Sequence, residues 1–177
     1  NYALLIGVGK YRDPAINSLK YVKNDVRQLY NVLTAPGTGL FKPKNIMVLT
    51  NEKATEKNIK FKFDDMASKA KGKNDMVVIF YAGHGFSYPD GKDTYWLTYD
   101  TIVGDRTGNR IKSTAFSNLA LASKILDIKA GKFVFFIDAC FSTGMVEKQT
   151  SVRGLDSYLG IGKDYTIITS SRADQLS

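Results

Sequence analysis

The sequence predicts an α/β fold in which a mostly parallel sheet carries helices on both faces. Short apolar runs, typical of buried parallel strands, recur along the chain and alternate with segments whose apolar residues have helical spacing. Strands and helices that alternate in this way form parallel sheets joined by right-handed crossovers. At 177 residues the chain is long enough for one such domain with a sizeable core.

The first half of the chain is predicted to contain three strands and two helices. The strands are apolar runs at 2–6, 45–49 and 75–82. The helices, at 22–33 and 55–70, have apolar side chains at helical spacing. Pro36 and Gly72 follow these helices and end them. The second helix has a lysine-rich outer face, which indicates a solvated surface.

The second half is predicted to contain a loop, a third helix and two further strands. The loop, 86–111, carries a small hairpin, and the strands lie at 132–137 and 165–169. The helix is expected at 114–128, with an inner face of Phe116, Leu119, Ala122, Ile125 and Leu126. Residues 142–163 read as a long loop, and a loop of that length in a compact domain usually has a function.

Composition narrows the class of protein. The net charge is +8, but no nucleic-acid-binding motif accompanies the lysines, so no nucleic-acid partner is predicted. One cysteine cannot form an internal disulfide, and one cysteine with one histidine is too few for a zinc site. No signal peptide or membrane-spanning run is recognised, so we expect a cytoplasmic protein with no membrane partner.

The single cysteine and the single histidine each follow a strand. His84 comes directly after the third predicted strand, and Cys140 follows the fourth. Since residues after neighbouring parallel strands meet at the carboxyl edge of a sheet, the two are expected to form a Cys-His dyad. Backbone N–H groups of Gly85 and Cys140 would hold the oxyanion. Taken singly, the cysteine would be a small buried hydrophobe and the histidine a loop-capping residue.

Three other chemistries do not fit the sequence. A dinucleotide-binding loop after the first strand would need glycine or alanine where Arg12 stands. A tyrosine-phosphatase loop would need arginine where Val146 stands. No serine nucleophile elbow is present.

The segments Tyr81-Ala-Gly-His84-Gly85 and Asp138-Ala-Cys140-Phe-Ser142 resemble the caspase-like cysteine peptidases, specifically the metacaspase and bacterial orthocaspase branch. The resemblance extends over nearly the whole chain and implies a caspase-like three-layer sandwich. It also implies protein or peptide substrates and a Cys-His mechanism. The runs at 3–8, 24–25 and 170–175 are similar to the same branch.

The resemblance further implies cleavage after Arg or Lys. Metacaspase-like members line the pocket for the residue before the cleaved bond with acids, and the matching positions here are Asp138, Asp25 and Asp174. Alternatively, Asp25 favours the helix N-terminus through the dipole and Asp174 stabilises a turn.

The resemblance also divides the chain. It implies a single catalytic domain over 1–177, with a large-subunit part at 1–141, an inter-subunit loop at about 142–163 and the start of a small-subunit part at about 164–177. The chain would then be a fragment of a longer one, with its own small-subunit part or an activating protein as partner. Lys148 and Arg153 in the loop are candidate self-cleavage sites.

Some features depart from the family pattern. Phe141 stands where metacaspases commonly have histidine. No cofactor or metal is predicted, because the acidic residues that would bind calcium, Asp90, Asp93, Asp100 and Asp105, lack ligand spacing. Calcium binding stays open as an alternative, as does a non-catalytic scaffold that keeps the same fold.

Overall fold

A computed structural model of the protein describes residues 1–88, 93–104, 109–139, 141–143 and 164–169. The elements run in the order β1 (Tyr2–Gly7), α1 (Val22–Leu33), β2 (Ile46–Thr50), α2 (Glu56–Lys69), β3 (Met76–Ala82), β4 (Gly85–Ser87), β5 (Thr94–Trp96), α3 (Asn109–Thr114), β6 (Phe116–Ser117), α4 (Asn118–Asp127), β7 (Lys132–Asp138), β8 (Phe141–Thr143) and β9 (Asp164–Thr169). Short 3-10 helices, Pro43–Asn45 and Asn51–Lys53, flank β2.

Five strands form the central sheet in the order β2-β1-β3-β7-β9. Every neighbouring pair is parallel. Strands β1 and β3 are buried along nearly their whole length, as expected of apolar strands covered on both faces. All five predicted strands are present, and the prediction of a mostly parallel sheet is confirmed.

Helices cover both faces of this sheet. On one face, α1 packs Val22 and Val26 against a cluster that includes Leu5 and Phe80. On the other face, α2 and α4 contribute buried residues to the larger core cluster, among them Phe63 and Ile125. The architecture is therefore three layers, as expected.

Helix α1 lies unusually close to the end of β1. A side chain at Gly7 would put its Cβ 2.6 Å from a methyl carbon of Val26 and 2.9 Å from one of Val22. Glycine permits this close approach. The first turn of α1 is thereby held beside the carboxyl edge of the sheet, where the site residues are expected.

The third predicted helix was placed incorrectly. The helix α4 begins only at Asn118, after Ser117 accepts a hydrogen bond from the Ala120 N–H at 3.1 Å, and α3 is a separate short helix before it. The buried stripe of α4 also differs from the predicted one and is made of Asn118, Leu121, Ala122 and Ile125. Leu119 and Leu126, predicted to face inward, are 60% and 56% exposed. Phe116 is buried, but as part of β6.

A second, smaller sheet lies beyond the carboxyl edge of the first. Its four strands have the order β6-β5-β4-β8. β4 follows β3 after two residues, and β8 follows β7 in the same way, so both continue the direction of their parent strands. The antiparallel pair β4 and β5 corresponds to the predicted hairpin. Just after β5, the Leu97 N–H donates to the His84 carbonyl at 2.9 Å.

Candidate active site

His84 lies at the carboxyl edge, between β3 and β4. In the central sheet Ala82 is in register with Asp138, and the Gly83 N–H donates to the Asp138 carbonyl at 3.1 Å. In the second sheet Gly85 is in register with Phe141. The residues on either side of His84 therefore pair with residues that flank position 140 in the sequence. Cys140 itself lies outside the described residues.

The orientation of the His84 imidazole is set by a backbone carbonyl. Nε2 lies 2.9 Å from the Asn17 oxygen. Because a carbonyl oxygen only accepts hydrogen bonds, Nε2 must carry a proton. In the neutral ring Nδ1 is then the acceptor, and it is the nitrogen that can take a proton from a thiol. The ring is half-buried, so one edge remains accessible.

The segment that carries Asn17 connects β1 to α1 and is fixed at several points. The Oδ1 atom of Asn51 accepts from the Gly9 and Lys10 N–H groups at 2.9 and 3.1 Å. Asn51 has a φ of 46°, a conformation that asparagine tolerates better than most residues. This anchoring holds the connection, and with it the Asn17 carbonyl, against the sheet edge.

Asp13 fixes the middle of the same connection. Its two carboxylate oxygens accept from the Val103 N–H at 2.8 Å and the Ala15 N–H at 3.0 Å. These two hydrogen bonds, that of Val103 first, lower the pKa of Asp13 below its ordinary value. Sequence reasoning did not identify Asp13, Asn17 or Asn51 as site residues.

Two of the predicted pocket acids influence each other. Asp25 is half-buried in the first turn of α1, and Asp138 is the exposed last residue of β7. Burial, and secondly the negative charge of Asp138, raise the pKa of Asp25 above its ordinary value. The two carboxylates thus lie at the same edge of the sheet, close enough to repel. Like charges placed together in this way are common at functional sites.

The other predicted site residues divide into two groups. Gly85 begins β4 and is buried. The rest lie outside the described residues, namely Cys140, Asp174, Lys148 and Arg153. Phe141, the predicted departure from the metacaspase pattern, lies in β8.

The described residues contain neither a candidate metal site nor a candidate membrane-spanning helix. Within them no group of three or more histidine, cysteine or acidic side chains is placed to hold a metal ion. Of the four acids considered for calcium, Asp93 and Asp100 are described, and Asp90 and Asp105 are not. No helix in the described ranges has the length and apolar character needed to cross a membrane.

Comparisons with known proteins agree with this architecture. The family described as the caspase domain, in peptidase family C14, matches residues 1–177. No curated protein sequence matches the chain. Among solved structures, the protein GSU0716 from Geobacter sulfurreducens is similar, with a TM-score of 0.60 and 21% sequence identity over 80% of this chain. This chain spans about half of that protein, 51% of its length, and the similarity at this identity concerns the fold. The chain therefore belongs to the caspase-domain family of cysteine peptidases.

Proposed function

We propose that the protein is an endopeptidase that cleaves peptide bonds after Arg or Lys through a dyad of Cys140 and His84. The observation that carries this proposal is the pairing around His84. Ala82 pairs with Asp138 and Gly85 with Phe141, so the chain segments that contain the histidine and the cysteine leave adjacent parallel strands together. This is the arrangement in which an imidazole and a thiol can exchange a proton.

The proposed reaction uses the imidazole twice. His84 takes the thiol proton at Nδ1 while Nε2 stays hydrogen-bonded to Asn17, and the Cys140 thiolate attacks the substrate carbonyl carbon. The oxyanion would be held by the N–H groups of Gly85 and Cys140. The imidazolium then protonates the leaving amine as the C–N bond breaks, which leaves a thioester. Water, deprotonated by His84, hydrolyses the thioester and restores the thiol.

Support for a basic residue before the cleaved bond comes from Asp25 and Asp138. The charge of Asp138 raises the pKa of Asp25, and a guanidinium or ammonium group bound between the two carboxylates would offset this repulsion. The overall charge of +8 does not oppose this proposal, because a local acidic pocket governs the field at the bond to be cut. Asp174 is proposed as a third acid on the resemblance alone.

Peptides that differ only in the residue before the cleaved bond test this specificity. We expect Arg and Lys peptides to be cleaved and the Asp and Gln peptides to be cleaved at least about tenfold more slowly, since a charge-assisted hydrogen bond contributes about 1.5–3 kcal/mol. The variant Cys140→Ala should bind the Arg peptide without turnover. Faster cleavage of the Asp peptide would refute the pocket, and activity retained by Cys140→Ala would refute the nucleophile.

Self-cleavage is proposed for the loop after the nucleophile. Lys148 and Arg153 both fit the proposed specificity and lie in the segment that the family resemblance places between the large and small parts. Intact-mass measurements should show fragments ending at one of these residues in the wild type and none in Cys140→Ala. A non-catalytic scaffold would show neither fragments nor peptide turnover while binding partners normally.

A further inference from the structure

Two tyrosine hydroxyls hold the peptide groups on both sides of His84. The His84 N–H donates to the Tyr11 hydroxyl at 2.8 Å. The Tyr81 hydroxyl donates to the His84 carbonyl at 2.6 Å and lies 3.0 Å from the Leu97 carbonyl. The backbone of the histidine is thus fixed by side chains that come from the end of β3 and from the connection before α1.

The two hydroxyls both lie beside Gly83. The Tyr81 hydroxyl has one proton, which it donates to the His84 carbonyl, the nearer of its two carbonyls. Burial raises the pKa of Tyr11 to about 12 and that of Tyr81 well above its ordinary value. Both therefore stay neutral at the pH where a thiol peptidase works. They act as hydrogen-bonding groups and not as bases.

Packing keeps this pair in place. The Tyr81 ring is fully buried and stacks on Trp96, with 4.6 Å between ring centroids. Gly83 leaves the room that the hydroxyls occupy, because a Cβ there would lie 2.7 Å from the Tyr81 hydroxyl and 3.2 Å from that of Tyr11. The glycine before the histidine is therefore required by the tyrosine pair.

Tyr11 contacts the imidazole as well as the backbone. Its ring centroid lies 5.4 Å from that of His84, with 34° between the planes. Six residues further along the same connection, the Asn17 carbonyl accepts from Nε2. One continuous segment thus holds the histidine at three places: its N–H group, the face of its ring and its ring nitrogen. Tyr11 is anchored in turn, because the Arg12 N–H donates to the Tyr99 carbonyl at 2.9 Å.

We propose that Tyr11 is a positioning residue for His84, which fixes the imidazole for proton transfer through the backbone N–H and the ring contact. This inference rests on the proposed function, since it assigns to Tyr11 a part in the same reaction. Within the described ranges the side-chain hydrogen bond and the ring contact of Tyr11 both go to His84. Its loss should therefore slow the chemical step and leave substrate binding by Asp25 and Asp138 intact.

Kinetics of Tyr11→Phe test this role. Phenylalanine keeps the ring and removes the hydroxyl, so we expect kcat for an Arg peptide to fall by about tenfold or more, because small misplacement of a catalytic group has effects of this order. KM should change by less than about twofold, since the substitution leaves the groups that are proposed to bind the substrate unchanged. Tyr95→Phe is the matched control. Tyr95 is a buried tyrosine of the second sheet whose hydroxyl pKa is likewise raised to about 12, and its ring contacts among the described residues are with Phe86 and Tyr88.

Nuclear magnetic resonance gives a second measurement that does not depend on activity. His84 is the only histidine in the sequence, so its ring nitrogens are assigned without ambiguity. We expect the wild type to show a protonated, slowly exchanging Nε2. In Tyr11→Phe the Nε2 proton should exchange with water at least about tenfold faster, as local opening becomes easier. Gly83→Ala, which displaces the Tyr81 hydroxyl, should have the same effect.

The outcomes separate this inference from the proposed function. If the wild type cleaves no peptide, the proposed function fails, and the exchange measurement still decides whether Tyr11 holds the imidazole. Unchanged exchange and unchanged kcat in Tyr11→Phe would overturn the positioning role. So would an equal loss of kcat in Tyr95→Phe, which would indicate general loosening of the second sheet.

Discussion

Replacing Asp25 by asparagine distinguishes two reasons for a carboxylate at this position. A residue in the first turn of a helix gains about 0.3–1 kcal/mol from a negative charge through the helix dipole. If Asp25 served only α1, Asp25→Asn would lower the free energy of unfolding by about that amount. If Asp25 belongs to an acidic pocket, its charge destabilises the folded protein and the substitution raises the free energy of unfolding.

The raised pKa of Asp25 predicts the second result and its pH dependence. The folded protein binds this proton more tightly than the unfolded chain, where the pKa is near 3.8. The free energy of unfolding therefore falls as the pH rises from the unfolded to the folded pKa. Asparagine does not titrate, so the variant should be the more stable protein at neutral pH. This gain in stability should disappear below about pH 3, where Asp25 of the wild type is protonated in both the folded and the unfolded protein.

Activity should change in the opposite direction. A hydrogen bond to a charged group contributes about 1.5–3 kcal/mol, and about 1.4 kcal/mol corresponds to a factor of ten. Loss of one of the acids that face a substrate Arg should therefore lower kcat/KM by about 10- to 150-fold for the Arg peptide. The Gln peptide, which carries no charge to be recognised, should change much less.

Urea denaturation at two pH values and peptide kinetics measure these effects. The free energy of unfolding usually falls by about 1–3 kcal/mol per molar urea, so a change of about 0.5 kcal/mol in it moves the urea midpoint by about 0.2–0.5 M. Asp127→Asn, an exposed carboxylate at the end of α4, is the control for kinetics and should leave kcat/KM unchanged. Lower stability of Asp25→Asn at neutral pH, or equal losses for the Arg and Gln peptides, would refute the pocket assignment.

Three predictions concern the fold that positions the site, and each is measured by chemical denaturation. Phe63→Ala should lower the free energy of unfolding by about 3–5 kcal/mol, because this side chain is fully buried and stacks on Phe116 with 5.8 Å between ring centroids. The control is Phe61→Ala, at a residue 63% exposed, which should change the free energy of unfolding by less than about 0.5 kcal/mol. Equal losses in the two variants would contradict the packing described. Asn51→Ala should lower the free energy of unfolding by about 2 kcal/mol or more, since it removes the acceptor of two backbone N–H groups and leaves alanine at a φ of 46°. An unchanged free energy of unfolding would mean that Asn51 does not hold the connection before α1. Thr55→Ala should lower the free energy of unfolding by about 1 kcal/mol, because it removes the N-cap hydrogen bond of α2. An unchanged free energy of unfolding would indicate that water replaces this hydrogen bond.

The central sheet was predictable because its signal is local. Strands buried on both faces read as continuous apolar runs, and each of the five could be placed to within a residue. The position of His84 just after such a run followed directly. The phase of α4 was not predictable from apolar spacing alone, because the segment has two adjacent sets of apolar side chains at helical spacing. The buried set includes Leu121 and Ile125, so Leu119 and Leu126 face outward.

The residues that hold the histidine were missed for a different reason. Asn17 acts through its backbone carbonyl, which every residue type possesses, so its side chain carries no signal. Tyr11 lies in a connection without periodicity, and its contact with His84 joins positions 73 residues apart. In contrast, Asp25 and Asp138 could be proposed as neighbours from the family resemblance, and the raised pKa of Asp25 agrees with their proximity.

Covalent labelling of the only cysteine tests the dyad most directly. A peptide that ends in arginine and carries a thiol-reactive ketone should modify the protein once, and digestion followed by mass spectrometry should locate the label on Cys140. The account predicts rapid labelling of the wild type, labelling slowed by at least about a hundredfold in His84→Ala, and slower labelling by the matched aspartate probe. Equal labelling of wild type and His84→Ala, or preference for the aspartate probe, would contradict it.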